Sequence, residues 1–201
     1  MAHALIAIDV QNDFCPGGAL AVTDGDAVVA PVNALMSEAD CVVLTQDWHP
    51  RNHLSFADNH ADAAPFSTTE MPYGTQVLWP THCVQSSKGA AFHDDLDQTR
   101  PDLIIRKGCN PAIDSYSAFF ENDQTTQTGL AGYLQNRGLN RLTFAGLATD
   151  FCVAWSALDA AKLGFEATVV LPACRAIDLD GSLDAALENL RNAGVALRDT
   201  I

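Results

Sequence analysis

Three side chains of complementary chemistry each follow an apolar run in this 201-residue chain. Asp9 follows Leu5-Ile6-Ala7-Ile8, Lys107 follows Leu103-Ile104-Ile105-Arg106, and Cys152 closes Gly146-Leu147-Ala148-Thr149-Asp150-Phe151-Cys152 on entry to a helical pattern. A carboxylate, an ammonium and a thiol are the makeup of an activated sulfur nucleophile: one group exchanges the proton, and the cation favours thiolate. Cys152 falls in the first turn of its helix, where free N–H groups and the positive end of the dipole are expected to lower a thiol pKa. Each residue also has a blander reading. A lone cysteine is most often a small core side chain, Asp9 could cap a turn, and lysine is most often found in surface ion pairs. Their shared position at strand ends weighs against three separate accidents, because a carboxylate at the end of a buried strand costs free energy unless paired.

A second set is Asp47-Trp48-His49 together with His82 in Trp79-Pro80-Thr81-His82-Cys83. In extended chain, Asp47 and His49 point to the same side. One carboxylate and two imidazoles suit a divalent Zn, Fe or Mn ion with positions open for water. Spacing alone leaves this reading level with the plainer one, in which the histidines are solvated loop residues. His60 and His93 belong to the plainer class, and His53 is intermediate.

The elements that would position these groups are legible. Short Val/Ile/Leu-rich runs at Ala4–Asp9, Cys41–Thr45, Leu103–Arg106, Arg141–Ala145, Ala167–Leu171 and Val195–Arg198 read as buried parallel strands. Helical periodicity covers Asp24–Glu38, Gly129–Arg137, Asp150–Leu163 and Ser182–Ala193, and the last three stop at Gly138, Gly164 and Gly194. Alternating strand and helix predict a three-layer α/β/α fold with a doubly wound six-stranded parallel sheet, in one domain over residues 1–201. Its site should lie outside the carboxyl ends of the strands. The polar stretch from Trp48 to Gln98 breaks the alternation and holds five of the six histidines; a segment that long without periodicity is usually functional.

Composition narrows the partners. With 11 basic against 25 acidic residues, the net charge of −14 repels phosphate backbones and anionic lipid, so nucleic acid and membrane partners are not expected. The N-terminus carries no basic n-region, no run is long enough to span a bilayer, and the six dispersed cysteines read as reduced thiols, so a cytoplasmic location is expected. Oligomeric state is left open, a homo-oligomer included.

Taken together, Asp9-Val10-Gln11-Asn12-Asp13-Phe14, Asp47-Trp48-His49-Pro50, Trp79-Pro80-Thr81-His82-Cys83-Val84-Gln85, Arg106-Lys107-Gly108 and Gly146 to Val153 resemble bacterial nicotinamidases of the isochorismatase-like hydrolase superfamily. The motifs stand in that family's order and span nearly the whole chain. The resemblance implies a hydrolase that converts nicotinamide to nicotinate and ammonia in NAD salvage, with pyrazinamide as a further substrate. It implies Cys152 as nucleophile, Asp9 and Lys107 as its partners, and Asp47, His49 and His82 as ligands of one divalent ion. In some relatives another residue of the same loop, for which His53 is the candidate here, adds a fourth ligand. The N–H groups of Ala148 and Cys152 resemble the oxyanion hole, with a cis Leu147–Ala148 bond. Phe14 and Trp79 resemble the walls that sandwich the pyridine ring, and Tyr116 the residue that closes the pocket. Phe151 stands where some relatives carry His or Tyr. Ureidoacrylate and carbamoylsarcosine hydrolases typically lack the Asp-His-His set, and isochorismatases lack the cysteine. A catalytically silent binding module on the same fold is the reading from another class.

Overall fold

The computed structural model describes residues 2–201. Six strands form one parallel sheet: β1 (His3–Ile8), β2 (Cys41–Asp47), β5 (Leu103–Lys107), β6 (Arg141–Leu147), β7 (Glu166–Arg175) and β8 (Ala196–Arg198). Between β2 and β5 the chain adds an antiparallel hairpin, β3 (Thr68–Met71) and β4 (Gly74–Val77). The helices are α1 (Val29–Met36), α2 (Leu130–Asn136), α3 (Ala154–Lys162) and α4 (Ser182–Asn192). The sheet order β5-β2-β1-β6-β7-β8 gives the doubly wound three-layer α/β/α architecture expected from the alternation.

The reason for this arrangement is in the strands. Every residue from Ala4 to Ile8 is buried, and so is every residue of β2, as a sheet covered on both faces requires. Leu5, Ile6, Val43, Leu142, Phe144 and Val169 supply the core between sheet and helices. The chain winds from β1 through β2 to β5, then crosses back to β6 and on to β8, so the order reverses between β1 and β6. That switch point opens a crevice at the carboxyl ends of the strands. Gly146 makes the close approach there: its φ is +119°, and a Cβ would collide with the backbone of Ile8, its partner in β1.

Four elements depart from the sequence reading. β5 and β8, read as buried strands, are the sheet edges, and their residues are mostly half-buried or exposed, with Lys107 the buried exception. The hairpin was not visible, because its residues other than buried Gln76 are exposed or half-buried and it carries no apolar stripe. The segment that enters α3 is a π-helical turn over Thr149–Val153 rather than the first turn of an α-helix. Such turns are rare and occur often at functional sites. Among the described residues, no helix is long and apolar enough to cross a membrane.

Candidate active site

The carboxyl ends of β1, β2, β5 and β6 bring the sequence candidates together. Asp9 leaves β1 at φ +48°, a left-handed conformation an aspartate tolerates better than most residues. Its Oδ2 pairs with the Lys107 Nζ at 2.8 Å. The same ammonium pairs with Asp47 Oδ1, donates to the Ser115 carbonyl at 2.8 Å, and lies 3.5 Å from the Cys152 sulfur. Asp9, Asp47 and Lys107 are essentially withdrawn from solvent, and Cys152 keeps a small exposed fraction, 7%. One buried cation therefore serves two carboxylates and a thiol.

Burial and charge compete at each group. For Lys107 burial would lower the pKa, but Asp47 and Asp9 overcome it and hold the ammonium well above its ordinary value. Burial pushes the Asp9 carboxyl up, against the pull of Lys107 and with help from Asp47. At Asp47 burial also pushes upward, yet Lys107 and His49 win and keep it well below the usual carboxylate range. For Cys152 the sequence expectation is corrected. Burial raises the thiol well above its ordinary value; Lys107 opposes this, while Asp9 and Asp47 add to it. Desolvation and two nearby anions thus outweigh the cation and the helix entrance, which favours the protonated thiol.

The Asp47, His49 and His82 side chains converge beside this trio. His49 Nδ1 lies 2.9 Å from the Gly108 carbonyl and His82 Nδ1 lies 2.8 Å from the Pro80 carbonyl, so each ring is anchored through its Nδ1–H with its Nε2 turned into the site. Both Nε2 atoms face Asp47 Oδ2, at 3.4 and 3.7 Å. Burial would lower the His49 pKa, but Asp47 overcomes it and raises it, so the carboxylate draws positive charge, a proton or a metal ion, to this set. The three donors lie within 4.8 Å of one another, and the O/N set with carbonyl-anchored imidazoles fits a divalent metal ion. Gly108 seats His49: its φ is +65°, and a Cβ there would collide with the imidazole ring.

His53 stands beside this set rather than in it. It stacks on His49 with ring centroids 4.4 Å apart, accepts the Ser55 N–H at Nδ1, and contacts the Ile113 carbonyl through Nε2 at 3.3 Å. Its nearest companions of metal-binding type are His49 and Asp114. Burial and the neighbouring His49 lower its pKa to about 4, so it is neutral at ordinary pH.

Cys152, Asp47 and His82 open into one cavity, walled by Phe14, Trp79, Tyr116 and Ala148. Tyr116 accepts hydrogen bonds from Trp79 Nε1 at 3.1 Å and Gln76 Nε2 at 2.9 Å, which fixes two aromatic walls against each other. The Leu147–Ala148 bond is cis, as the resemblance implied. His60 and His93 lie outside the site.

Other residues here were not singled out from the sequence. Leu20, Asp114, Phe151 and Ile177 also line the cavity. Phe151 packs edge-on against Trp79 with centroids 4.9 Å apart, so it is a wall rather than a neutral departure. Gln11 brackets Asp47: its Oε1 accepts the Asp47 N–H at 2.8 Å and its Nε2 donates to the Asp47 carbonyl at 2.9 Å. Asp150 accepts from the N–H groups of Ile177 and Asp178 at 3.0 and 2.8 Å and from the Ser182 hydroxyl, tying the turn that carries Cys152 to the start of α4. Thr45 could have been found: it precedes Asp47 by two residues and shares its side of β2.

The pattern for the isochorismatase domain matches residues 3–201. The chain belongs to the isochorismatase family. Within it, a nicotinamidase from Acinetobacter baylyi is 53% identical over 192 residues, covering 96% of this chain and 90% of the relative. A solved structure described as an Acinetobacter baumanii nicotinamidase and pyrazinamidase superposes with a TM-score of 0.96 at 54% identity, covering 98% of this chain and 95% of the other. The pyrazinamidase of Pyrococcus horikoshii, solved in complex with zinc, superposes with a TM-score of 0.78 at 35% identity and covers 98% of both chains. Members of the isochorismatase family thus match this chain across its whole length, the segment that carries Asp47, His49 and His82 included.

Proposed function

We propose that this protein is a nicotinamidase that hydrolyses nicotinamide to nicotinate and ammonia through a thioester on Cys152, with pyrazinamide as a second substrate. The observation that carries the reading is the shared ammonium: Lys107 Nζ lies 2.8 Å from Asp9 and 3.5 Å from the Cys152 sulfur, at the floor of an aromatic cavity beside an Asp-His-His set. The identity to nicotinamidases supports the choice of amide.

In this reading Phe14 and Trp79 hold the flat pyridine ring. Asp47, His49 and His82 would hold a divalent ion, with zinc the first candidate from the Pyrococcus relative, and it would supply Lewis acidity toward the bound pyridine. Asp9, whose pKa burial raises, accepts the Cys152 proton as sulfur bonds to the carboxamide carbon. The C=O electron pair moves to oxygen, where the N–H groups of Ala148 and Cys152 receive it; one such donor is worth about 2.7–4 kcal/mol in a comparable hydrolase. Asp9 returns its proton to nitrogen, the C–N bond breaks and ammonia leaves. Water then adds to the thioester with Asp9 taking its proton, the C–S bond breaks, and Asp9 reprotonates the sulfur. Lys107 stays charged throughout and steadies Asp9 in its anionic form.

Ammonia release from nicotinamide by the purified protein, with Cys152→Ala beside it, tests the reading. Expected are turnover by the native chain, none by the variant, and a nicotinoyl mass increment on the Cys152 peptide after rapid acid quench. Full turnover by Cys152→Ala would remove the thiol from the mechanism.

A further inference from the structure

Asp9 has two carboxylate oxygens in different surroundings. Oδ1 accepts the Thr45 hydroxyl proton at 2.6 Å. Oδ2 lies 2.8 Å from the Lys107 ammonium but makes no well-directed hydrogen bond there or elsewhere among the described residues. Thr45 is bound a second way, because its Oγ1 accepts the Asp9 backbone N–H at 3.1 Å. One hydroxyl thus clips both the main chain and the side chain of the same residue. Thr45 and Asp9 are both fully buried, so no water substitutes for the hydroxyl.

The clip sits where it is needed. Asp9 stands one residue past β1 in a left-handed conformation, outside the ladder that holds His3 to Ile8. Ala7 pairs with Leu44, which puts Thr45 opposite the end of β1. Without the hydroxyl, Oδ1 is a buried acceptor with no partner, and the carboxylate is free to turn about χ2 to recover a bond from Lys107.

We infer that Thr45 is a positioning residue that occupies Asp9 Oδ1 and so reserves Oδ2 as the oxygen that exchanges protons with the Cys152 sulfur. An Asp9 oxygen and that sulfur already lie within 4.8 Å. The inference rests on the proposed roles of Asp9 and Cys152, and adds which oxygen acts and what holds it. Thr45 touches neither substrate nor sulfur, so its removal should slow the proton transfers and leave ring binding alone.

The experiment compares Thr45→Val, which keeps the shape and deletes both hydrogen bonds, with Thr45→Ser, which restores the hydroxyl, and with Cys152→Ala. Expected for Thr45→Val is a kcat lowered about tenfold or more, a fraction of what a positioned acid/base supplies, with KM and bound-metal content little changed. Thr45→Ser is expected to recover kcat to within about threefold of the native chain. Alkylation of Cys152 by iodoacetamide, followed by peptide mass, should slow in Thr45→Val and recover in Thr45→Ser. If Thr45→Val does not fold, Thr45→Ala is judged by the same criteria. A native-like kcat in the hydroxyl-free variant beside an inactive Cys152→Ala overturns the role of Thr45 alone, as does a Thr45→Ser no better than Thr45→Val. A fully active Cys152→Ala overturns the thiol reading itself.

Discussion

Replacing Gly108 by alanine tests whether the metal set depends on one close backbone approach. The residue sits at φ +65°, where an L side chain costs about 1–2 kcal/mol. The added Cβ would overlap Cε1 and Nδ1 of His49, so the ring must turn and give up the Nδ1–H bond to the Gly108 carbonyl, now 2.9 Å. Losing that bond costs about 0.5–1.5 kcal/mol more. Together these come to about 1.5–3.5 kcal/mol, which in a chain of this length lowers Tm by about 3–14 °C. The displaced His49 Nε2 should weaken divalent-ion binding about 10–100-fold, the usual effect of losing an outer-shell anchor. Calorimetric melting and competitive zinc titration of the apoprotein measure both effects. A variant that melts within a degree of the native chain and binds zinc equally well would refute the claim that Gly108 is required to seat His49.

Removing Lys107 should be more damaging than removing either carboxylate partner. Lys107→Met leaves Asp9 and Asp47 buried without their cation, a loss of about 3–5 kcal/mol, read as a fall in Tm and in the denaturation midpoint. The pH profile of kcat/KM should fall on its acid side through a pKa above the ordinary carboxylate value of about 4, because protonating Asp9 removes the base. Ultraviolet titration of the resting protein should show no thiolate from Cys152 below the ordinary cysteine pKa of about 8.5, since burial and two carboxylates raise it. Chelation should lower kcat/KM for nicotinamide, and add-back of zinc, iron or manganese should restore it.

The strand ends were legible because short apolar runs and terminal glycines mark where each buried segment stops. Asp9, Asp47, Lys107 and Cys152 then followed from topology, since a doubly wound sheet gathers those ends at one crevice. What stayed hidden depends on distances across the fold. Gln11 holds Asp47 from 36 residues away in sequence with nothing in its local pattern to mark it, and Thr45, though its place two residues before Asp47 is readable, reaches an Asp9 whose nearness is not. The hairpin that carries Gln76 has no apolar periodicity to read, because its one buried position is that polar side chain. The direction of the Cys152 pKa shift differs from the sequence expectation for a related reason. Helix position and a nearby lysine are visible in sequence, whereas the depth of burial and the second carboxylate, Asp47, are not.

The sharing of Lys107 between Asp9 and Asp47 binds the fate of two chemistries together. A descendant of this chain could not discard its cofactor by mutating Asp47 alone, because the same change would redistribute the lysine's charge around the sulfur. Loss or exchange of the metal would need a compensating anion nearby, so variants with altered metal preference should carry paired changes around β2 and β5 rather than single ones.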